Sequence, residues 1–316
     1  MDSVTLNDLD LRLLHALQLD GRAPFSKIAD VLGVSDRTVA RRFGRLRSAG
    51  IARVSGVPDS RRTGHAEWLV RLRGLPSTTV PLARVLARRP DTAWVTTLSS
   101  GTEIVCVFRV ADGGPAPLKD LGPLPRITRI DAQQLLRPVM EHRWAGRTSA
   151  LTPHQIDSLR LGPTEDTGPV RLTELDRRLL PALAADGRAA YPSLARHVGW
   201  SESTVRRRLE ELRHTGVLQL DVEVAPDMIG FTAQCLIWLA VAPARLADTA
   251  QALAADAEAA FVAATTGTHN LMAVAVCRNT EALHTYLTSR LGGLGGIDRM
   301  ESAMITSYSK RTAPAV

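Results

Sequence analysis

A stretch of some forty residues occurs twice in this chain. "LDLRLLHALQLDGRAPFSKIADVLGVSDRTVARRFGRLRSAGI" begins at Leu9, and "LDRRLLPALAADGRAAYPSLARHVGWSESTVRRRLEELRHTGV" begins at Leu175. They align without a gap. Asp10, Gly21, Arg22, Ala29, Gly33, Ser35, Thr38, Val39, Arg41, Arg42, Leu46 and Gly50 recur as Asp176, Gly187, Arg188, Ala195, Gly199, Ser201, Thr204, Val205, Arg207, Arg208, Leu212 and Gly216. Such a match implies duplication, so any fold assigned to one copy must be built twice.

The repeated stretch is helical. Leu9, Leu13, Leu14 and Leu17 share one helical face, and Gly21 is expected to end that helix. "SKIADVL" forms a second, short helix stopped by Gly33. Ser35, and Ser201 in the second copy, have the chemistry to N-cap a third helix. The small Ala29 and Ala195 allow close helix approach, and a glycine takes the turn four residues later. This is a helix-turn-helix pattern.

The third helix carries arginines. At about 100° per residue, Val39, Phe43 and Leu46 fall on one side; Arg37 and Arg41 point away, with Arg45 beside them. In the second copy Val205, Leu209 and Leu212 face inward, Ser203 and Arg207 outward, and Arg206 flanks them. A cationic helix face of this width fits the major groove, where arginine pairs with guanine or clamps phosphate. The expected DNA contacts are Ser35, Arg37, Thr38, Arg41, Arg42 and Arg45, with Ser201, Ser203, Thr204, Arg206, Arg207 and Arg208 in the second copy. The copies differ in charge. Residues 9–59 carry nine basic and five acidic side chains, whereas 175–227 carry eight of each. Phosphate attraction sets affinity, so the first copy is expected to contribute more to DNA binding.

The similarity continues more faintly. "AEWLVRLRG" (66–74) resembles "AQCLIWLAV" (233–241), and "WVTTLSSGTEIVCVFRV" (94–110) resembles "FVAATTGTHNLMAVAV" (261–276). Each helical part is therefore followed by an α+β part. The expected organisation is a helix-turn-helix domain over 1–56, an α+β domain over 57–136, a linker over 137–170 with a short helix capped at Thr152, a second helix-turn-helix over 171–224 and a second α+β domain over 225–312.

The formal net charge is +7 and the pI about 10.0, which favours an anionic partner. Cys106, Cys235 and Cys277 sit in apolar runs without CxxC spacing and are expected to be reduced core thiols. The acidic, polar N-terminus is expected not to be a signal peptide, and no apolar run approaches a membrane span. A soluble cytoplasmic protein is expected, with no membrane partner. The eight histidines show no zinc spacing, so neither a metal site nor a cofactor is expected. "GGLGGID" (292–298) departs from GxGxxG and is expected to be a helix-to-strand turn. Trp68, Trp94, Trp200 and Trp238 are expected in cores or interfaces, and Glu103 as a solvated loop acid.

With these residues the chain resembles the Lrp/AsnC family of bacterial transcription regulators, twice over. The resemblance implies an α+β fold: a tandem (winged) helix-turn-helix plus a ferredoxin-like βαββαβ sensing domain, repeated twice. It also implies sensing domains that pair through their sheets and bind small ligands, often amino acids, at those interfaces. A TG loop between the second and third strands lines that region. Here it reads Thr266, Gly267, Thr268, His269 and Asn270, and in the first copy Ser100-Gly101-Thr102-Glu103. His269-Asn270 replaces the family's aromatic-Asp pair. Glycines and prolines in "ADGGPAPLKDLGPLPRI" spoil the second helix of the first sensing domain, which is expected to be shortened and degenerate.

The function expected is a sequence-specific regulator, not an enzyme. Its partners are double-stranded DNA and a small effector, with self-association as a homodimer or higher. Two fused units can also form a pseudo-dimer within one chain and read an asymmetric site. The alternatives are an enzyme like the sirohaem decarboxylases, which resemble this family, and an architectural DNA-binding protein that no longer senses a ligand.

Overall fold

The computed structural model describes residues 6–114, 117–119, 126–140, 150–162, 170–224 and 226–311. The first copy runs α1 (Asp8–Leu19), α2 (Phe25–Leu32), α3 (Asp36–Ser48), β1 (Ala52–Pro58), β2 (His65–Gly74), α4 (Pro76–Arg88), β3 (Thr92–Leu98), β4 (Glu103–Ala111) and β5 (Ile127–Pro138). A linking helix, α5 (Pro153–Leu159), follows. The second copy runs α6 (Glu174–Ala185), α7 (Tyr191–Val198), α8 (Glu202–His214), β6 (Leu218–Val224), β7 (Ala233–Val241), α9 (Leu246–Ala254), β8 (Ala259–Thr265), β9 (Leu271–Cys277), α10 (Thr280–Thr285) and β10 (Ile297–Lys310). A π-helical turn, Tyr286–Leu291, continues α10. No helix among the described residues is long and apolar enough to cross a membrane.

The described residues divide into two compact units. One draws on 1–64 and 148–229, the other on 65–147 and 230–315. Like parts of the two copies are thus gathered together.

In the helical unit, capping boxes open α1 (Asn7 with Asp10) and α6 (Thr173 with Asp176). Gly33 and Gly199 adopt φ of +69° and +83°, which closes the turns before α3 and α8. The expected helix-ending role of Gly21 is not what the structure shows. The helix stops at Leu19, with the extended Asp20 as its C-cap. Gly21 is instead a close-approach residue: a Cβ there would lie 2.9 Å from Leu220 Cβ, and one at Gly187 3.1 Å from the Val54 and Ser55 backbone.

The two helix-turn-helix copies pair with each other. β1 and β6 form an antiparallel ribbon in which Ser55 faces Asp221. These residues hold equivalent places in the two copies, so the ribbon crosses a pseudo-two-fold axis there. Arg22 donates to the carbonyls of Gly187 (2.8 Å) and Ala189 (3.0 Å), and Arg188 donates to those of Gly21 (2.7 Å) and Ala23 (3.0 Å). The pairing is isologous in form although it lies within one chain.

In the other unit, the eight strands β2–β5 and β7–β10 close into a barrel in the order β10-β3-β4-β2-β5-β8-β9-β7. Each copy contributes four consecutive strands, β5-β2-β4-β3 and β10-β7-β9-β8. The copies join where β5 meets β8 and where β10 meets β3. Strand alternation sends Leu69, Val105, Leu236, Trp238 and Met272 to the barrel interior. The opposite faces pack against α4 in one copy, and against α9, α10 and the π-helical turn in the other.

The second copy has the full βαββαβ succession. In the first, residues 112–114 and 117–119, between β4 and β5, are not helical. The rest of that segment lies outside the described residues. Proline lacks the amide donor that a helix needs and glycine pays a backbone-entropy cost, which accounts for the difference.

Candidate nucleic-acid interface

The third helix of each copy is anchored as its apolar spacing requires. Val39, Phe43 and Leu46 are buried under α3, and Val205, Leu209 and Leu212 under α8. Ser35 Oγ accepts from Thr38 N (3.2 Å) and Ser201 Oγ from Thr204 N (3.3 Å), capping both helices. Both serines also share hydrogen bonds with the Thr38 and Thr204 hydroxyls, and Ser201 with Ser203. Cap, turn and inward apolar stripe fix which face of each helix remains outside.

The expected arginines separate into two groups. Arg37, Arg41 and Arg207 are exposed, and their guanidinium groups make no ion pair among the described residues. Arg42, Arg45 and Arg208 are committed to the fold. Arg42 (3.0 Å) and Arg45 pair with Asp10, whose side chain is fully buried. Arg208 pairs with the equally buried Asp176 (2.7 Å) and with Glu211 (2.6 Å). Burial pushes the Asp176 carboxyl up, but hydrogen bonds from Arg208 and Thr173 outweigh it and hold the group below the ordinary aspartate range. Arg206 is tied to Glu202 (2.9 Å) and lies over the Tyr191 ring. Sequence periodicity placed Arg45 outward with Arg41. It could not show that a buried aspartate on another helix draws it back. The hint was there, because Asp10 and Asp176 recur on otherwise apolar faces.

The outward positions differ between the copies. Where α3 has Arg37, Gly44 and Arg45, α8 has Ser203, Glu210 and Glu211. The charge difference counted from sequence is therefore concentrated on the recognition faces.

In the barrel, the Thr266–Asn270 loop packs on β5 of the other copy. Thr266 N donates to the Gln134 carbonyl (3.0 Å), and Gln134 N donates back to Thr266 Oγ1 (2.9 Å). Gln133 Nε2 donates to the His269 carbonyl (3.2 Å). Gly267 has φ +97° and Thr268 is exposed. Asn270 bonds both polar groups of the Val241 backbone (2.9 and 2.8 Å). His269 Nε2 is buried without a hydrogen-bond partner among the described residues, and burial holds its pKa below the ordinary histidine value.

The first-copy loop lies against β10, where Ser100 N donates to Thr306 Oγ1 (3.0 Å). Sheet register places Glu103 opposite Leu98, as Asn270 stands opposite Thr265. Glu103 is thus the counterpart of Asn270, and the first loop carries its glycine one place later than the second. Glu103 is not a solvated loop acid: it is buried and paired with Arg71. Trp238 is in the core as expected. Cys106, Cys235 and Cys277 are buried and form no disulfide among the described residues.

Comparison with known proteins places this arrangement. The AsnC-type helix-turn-helix domain matches residues 6–47 and 172–213, and the Lrp/AsnC ligand binding domain matches 234–315. An uncharacterized HTH-type transcriptional regulator of Pyrococcus furiosus is 31% identical over 140 residues, which is 44% of this chain and 95% of that protein. The regulatory protein AsnC of Escherichia coli is 27% identical over 136 residues, 42% of this chain and 90% of that protein. Among solved structures, the siroheme decarboxylase NirDL matches with a TM-score of 0.62 and 14% identity, covering 97% of this chain and 93% of its own. That likeness shows a shared tandem fold. Both helix-turn-helix copies and the second α+β copy thus match the family, and the chain belongs to the Lrp/AsnC family of HTH-type transcriptional regulators.

Proposed function

We propose that one chain reads a single, asymmetric DNA site with both of its recognition helices, under the control of a small metabolite of the amino-acid class. The observation that carries this is the intrachain pairing of two capped helix-turn-helix copies through β1–β6 and the reciprocal Arg22 and Arg188 bonds. Arg37, Arg41, Ser35 and Thr38 contact the first half-site, and Ser201, Ser203, Thr204 and Arg207 the second. Arg42, Arg45 and Arg208 act from the flank, with Arg206 held beside Glu202. The effector binds at the Thr266–Asn270 loop. Further self-association builds on this pseudo-dimer, and a cytoplasmic location belongs to the same reading, supported by the DNA-binding family.

Footprinting of the chain on its own upstream DNA at two salt concentrations tests the reading. A sequence-specific, salt-sensitive and non-palindromic footprint is expected. Protection of perfect palindromes alone, or uniform coating of any DNA, sinks it.

A second reading is an enzyme on the same fold, favoured by the likeness to NirDL across nearly the whole chain. Titration with a tetrapyrrole, followed by absorbance, separates the two: a saturable spectral shift supports the enzyme.

A further inference from the structure

The linking helix α5 lies between the two copies and is built into the first helix-turn-helix. It packs against α1 and α2, with Leu159 fully buried and Leu151 nearly so. Its N-terminus is held by a capping box: Thr152 N donates to Gln155 Oε1 (3.0 Å), and Gln155 N donates to Thr152 Oγ1 (3.4 Å). The other end of the same amide points elsewhere. Gln155 Nε2 donates to the carbonyl of Val31 at 2.8 Å.

Val31 lies in the last turn of α2, directly before the Gly33 turn that leads into α3. The last four carbonyls of any helix lack partners within it. In α2, the Ala29 carbonyl accepts from Gly33 and Val34, and the Asp30 carbonyl accepts from Gly33. Gln155 supplies the donor for the Val31 carbonyl. In the second copy Ala195 accepts from Gly199 and Trp200, but no side chain among the described residues donates to His197, which stands where Val31 does. One helix-turn-helix turn is braced from outside, and the other relies on its own bonds.

We infer that Gln155 is a positioning residue for DNA recognition: through Val31 it braces the α2–α3 turn and so fixes the aim of the first recognition helix. The inference rests on the DNA-binding reading above and adds an asymmetry to it. The braced copy is also the one with two unpaired outward arginines, Arg37 and Arg41. A partly buried hydrogen bond contributes modestly in net terms, so its loss is read as a several-fold change in affinity.

The test is Gln155→Glu. Glutamate keeps the acceptor that caps α5 and loses the donor to Val31, so helix α5 stays formed. The probe is a duplex selected from a random pool by the wild-type chain, with either half scrambled in turn. Expected is about fivefold weaker binding where the first half-site is intact and no change where only the second is. Equal losses on both, or none on either, overturn the inference. Amide hydrogen exchange on the DNA-free full chain gives a separate readout. Gly33 and Val34 are expected to exchange several-fold faster in Gln155→Glu, with Gly199 and Trp200 unchanged. Unchanged exchange at Gly33 and Val34 overturns the bracing whether or not DNA is bound. A wild-type chain that selects no specific duplex, with the exchange difference present, counts against the DNA-binding reading instead.

Discussion

The guanidinium carbon of Arg71 lies 3.8 Å from the centre of the Trp238 ring, and the two residues hold equivalent places in the two sensing copies. Arg71 faces Val105 across β2–β4 as Trp238 faces Met272 across β7–β9. A symmetric homodimer would place identical residues there. The fused chain instead stacks a cation on an aromatic face and gathers its counter-ions on one side. Arg71 binds Glu103 and Glu301 (2.8 and 2.9 Å), and Arg73 also reaches Glu301 (2.6 Å).

Removing Arg71 leaves two carboxylates near the barrel interior without their main partner. Breaking a buried pair from one side costs about 3–5 kcal/mol, far more than the pair contributes net. Arg71→Ala is therefore expected to lower the urea midpoint of the barrel clearly, followed by tryptophan fluorescence. A loss below about 1 kcal/mol, the usual worth of an exposed pair, would show that water reaches the cluster.

Acid should destabilise the chain in two stages. Burial holds His15 and His269 below the ordinary histidine value, so each binds its proton more readily unfolded. Their contribution begins to fall below about pH 6.5, the unfolded value, and is gone at their folded pKa. Hydrogen bonds from Arg71 hold Glu301 below the usual carboxylate range, and Asp176 is also held low. Stability from these carboxylates is complete above about pH 4–5 and is lost as pH falls through their folded values. Melting temperatures from pH 8 to 3 check both stages. In Arg71→Ala, the variant should approach the wild type as acid neutralises the stranded carboxylates.

The two recognition helices should respond unequally. Arg41→Ala is expected to weaken specific binding more than Arg207→Ala, because Arg41 works beside Arg37 on an uncompensated face. Each substitution that removes a phosphate contact should reduce the salt slope by about 1. Glu202→Ala should strengthen binding by releasing Arg206. Equal losses from Arg41→Ala and Arg207→Ala in a titration would contradict the ordering.

Pairing of the helix-turn-helix copies depends on two glycines. A methyl at Gly21 or Gly187 meets Leu220, or Val54 and Ser55, at 2.9–3.2 Å. Overpacking of this kind costs about 1–3 kcal/mol. Gly21→Ala and Gly187→Ala should each lower the melting temperature, whereas alanine at the open, exposed Gly44 should not.

The thiols should be inert until the chain unfolds. Burial pushes Cys235 up to about 11 and Cys106 higher still, so little thiolate is present at neutral pH. Alkylation is expected only in denaturant, and labelling of the native chain would show that the barrel opens.

Local chemistry determined much of this protein. The gapless repeat, the serine caps, the glycine turns and the inward Val39, Phe43 and Leu46 were legible because they act within a few residues of one another. The same spacing rules gave Trp238 to the core and the cap at Thr152 to the linker. Where a side chain's partner is distant in sequence, the reading stopped short. Glu103 looked like a loop acid because Arg71 and Glu301 approach it only when the barrel closes. Arg42, Arg45 and Arg208 looked like free recognition arginines because Asp10 and Asp176 lie on other helices. Gly21 looked like a helix stop because Leu220 belongs to the other copy. Periodicity fixes which face of a helix or strand is buried; only tertiary packing decides which charges meet there, and so which arginines remain for a partner.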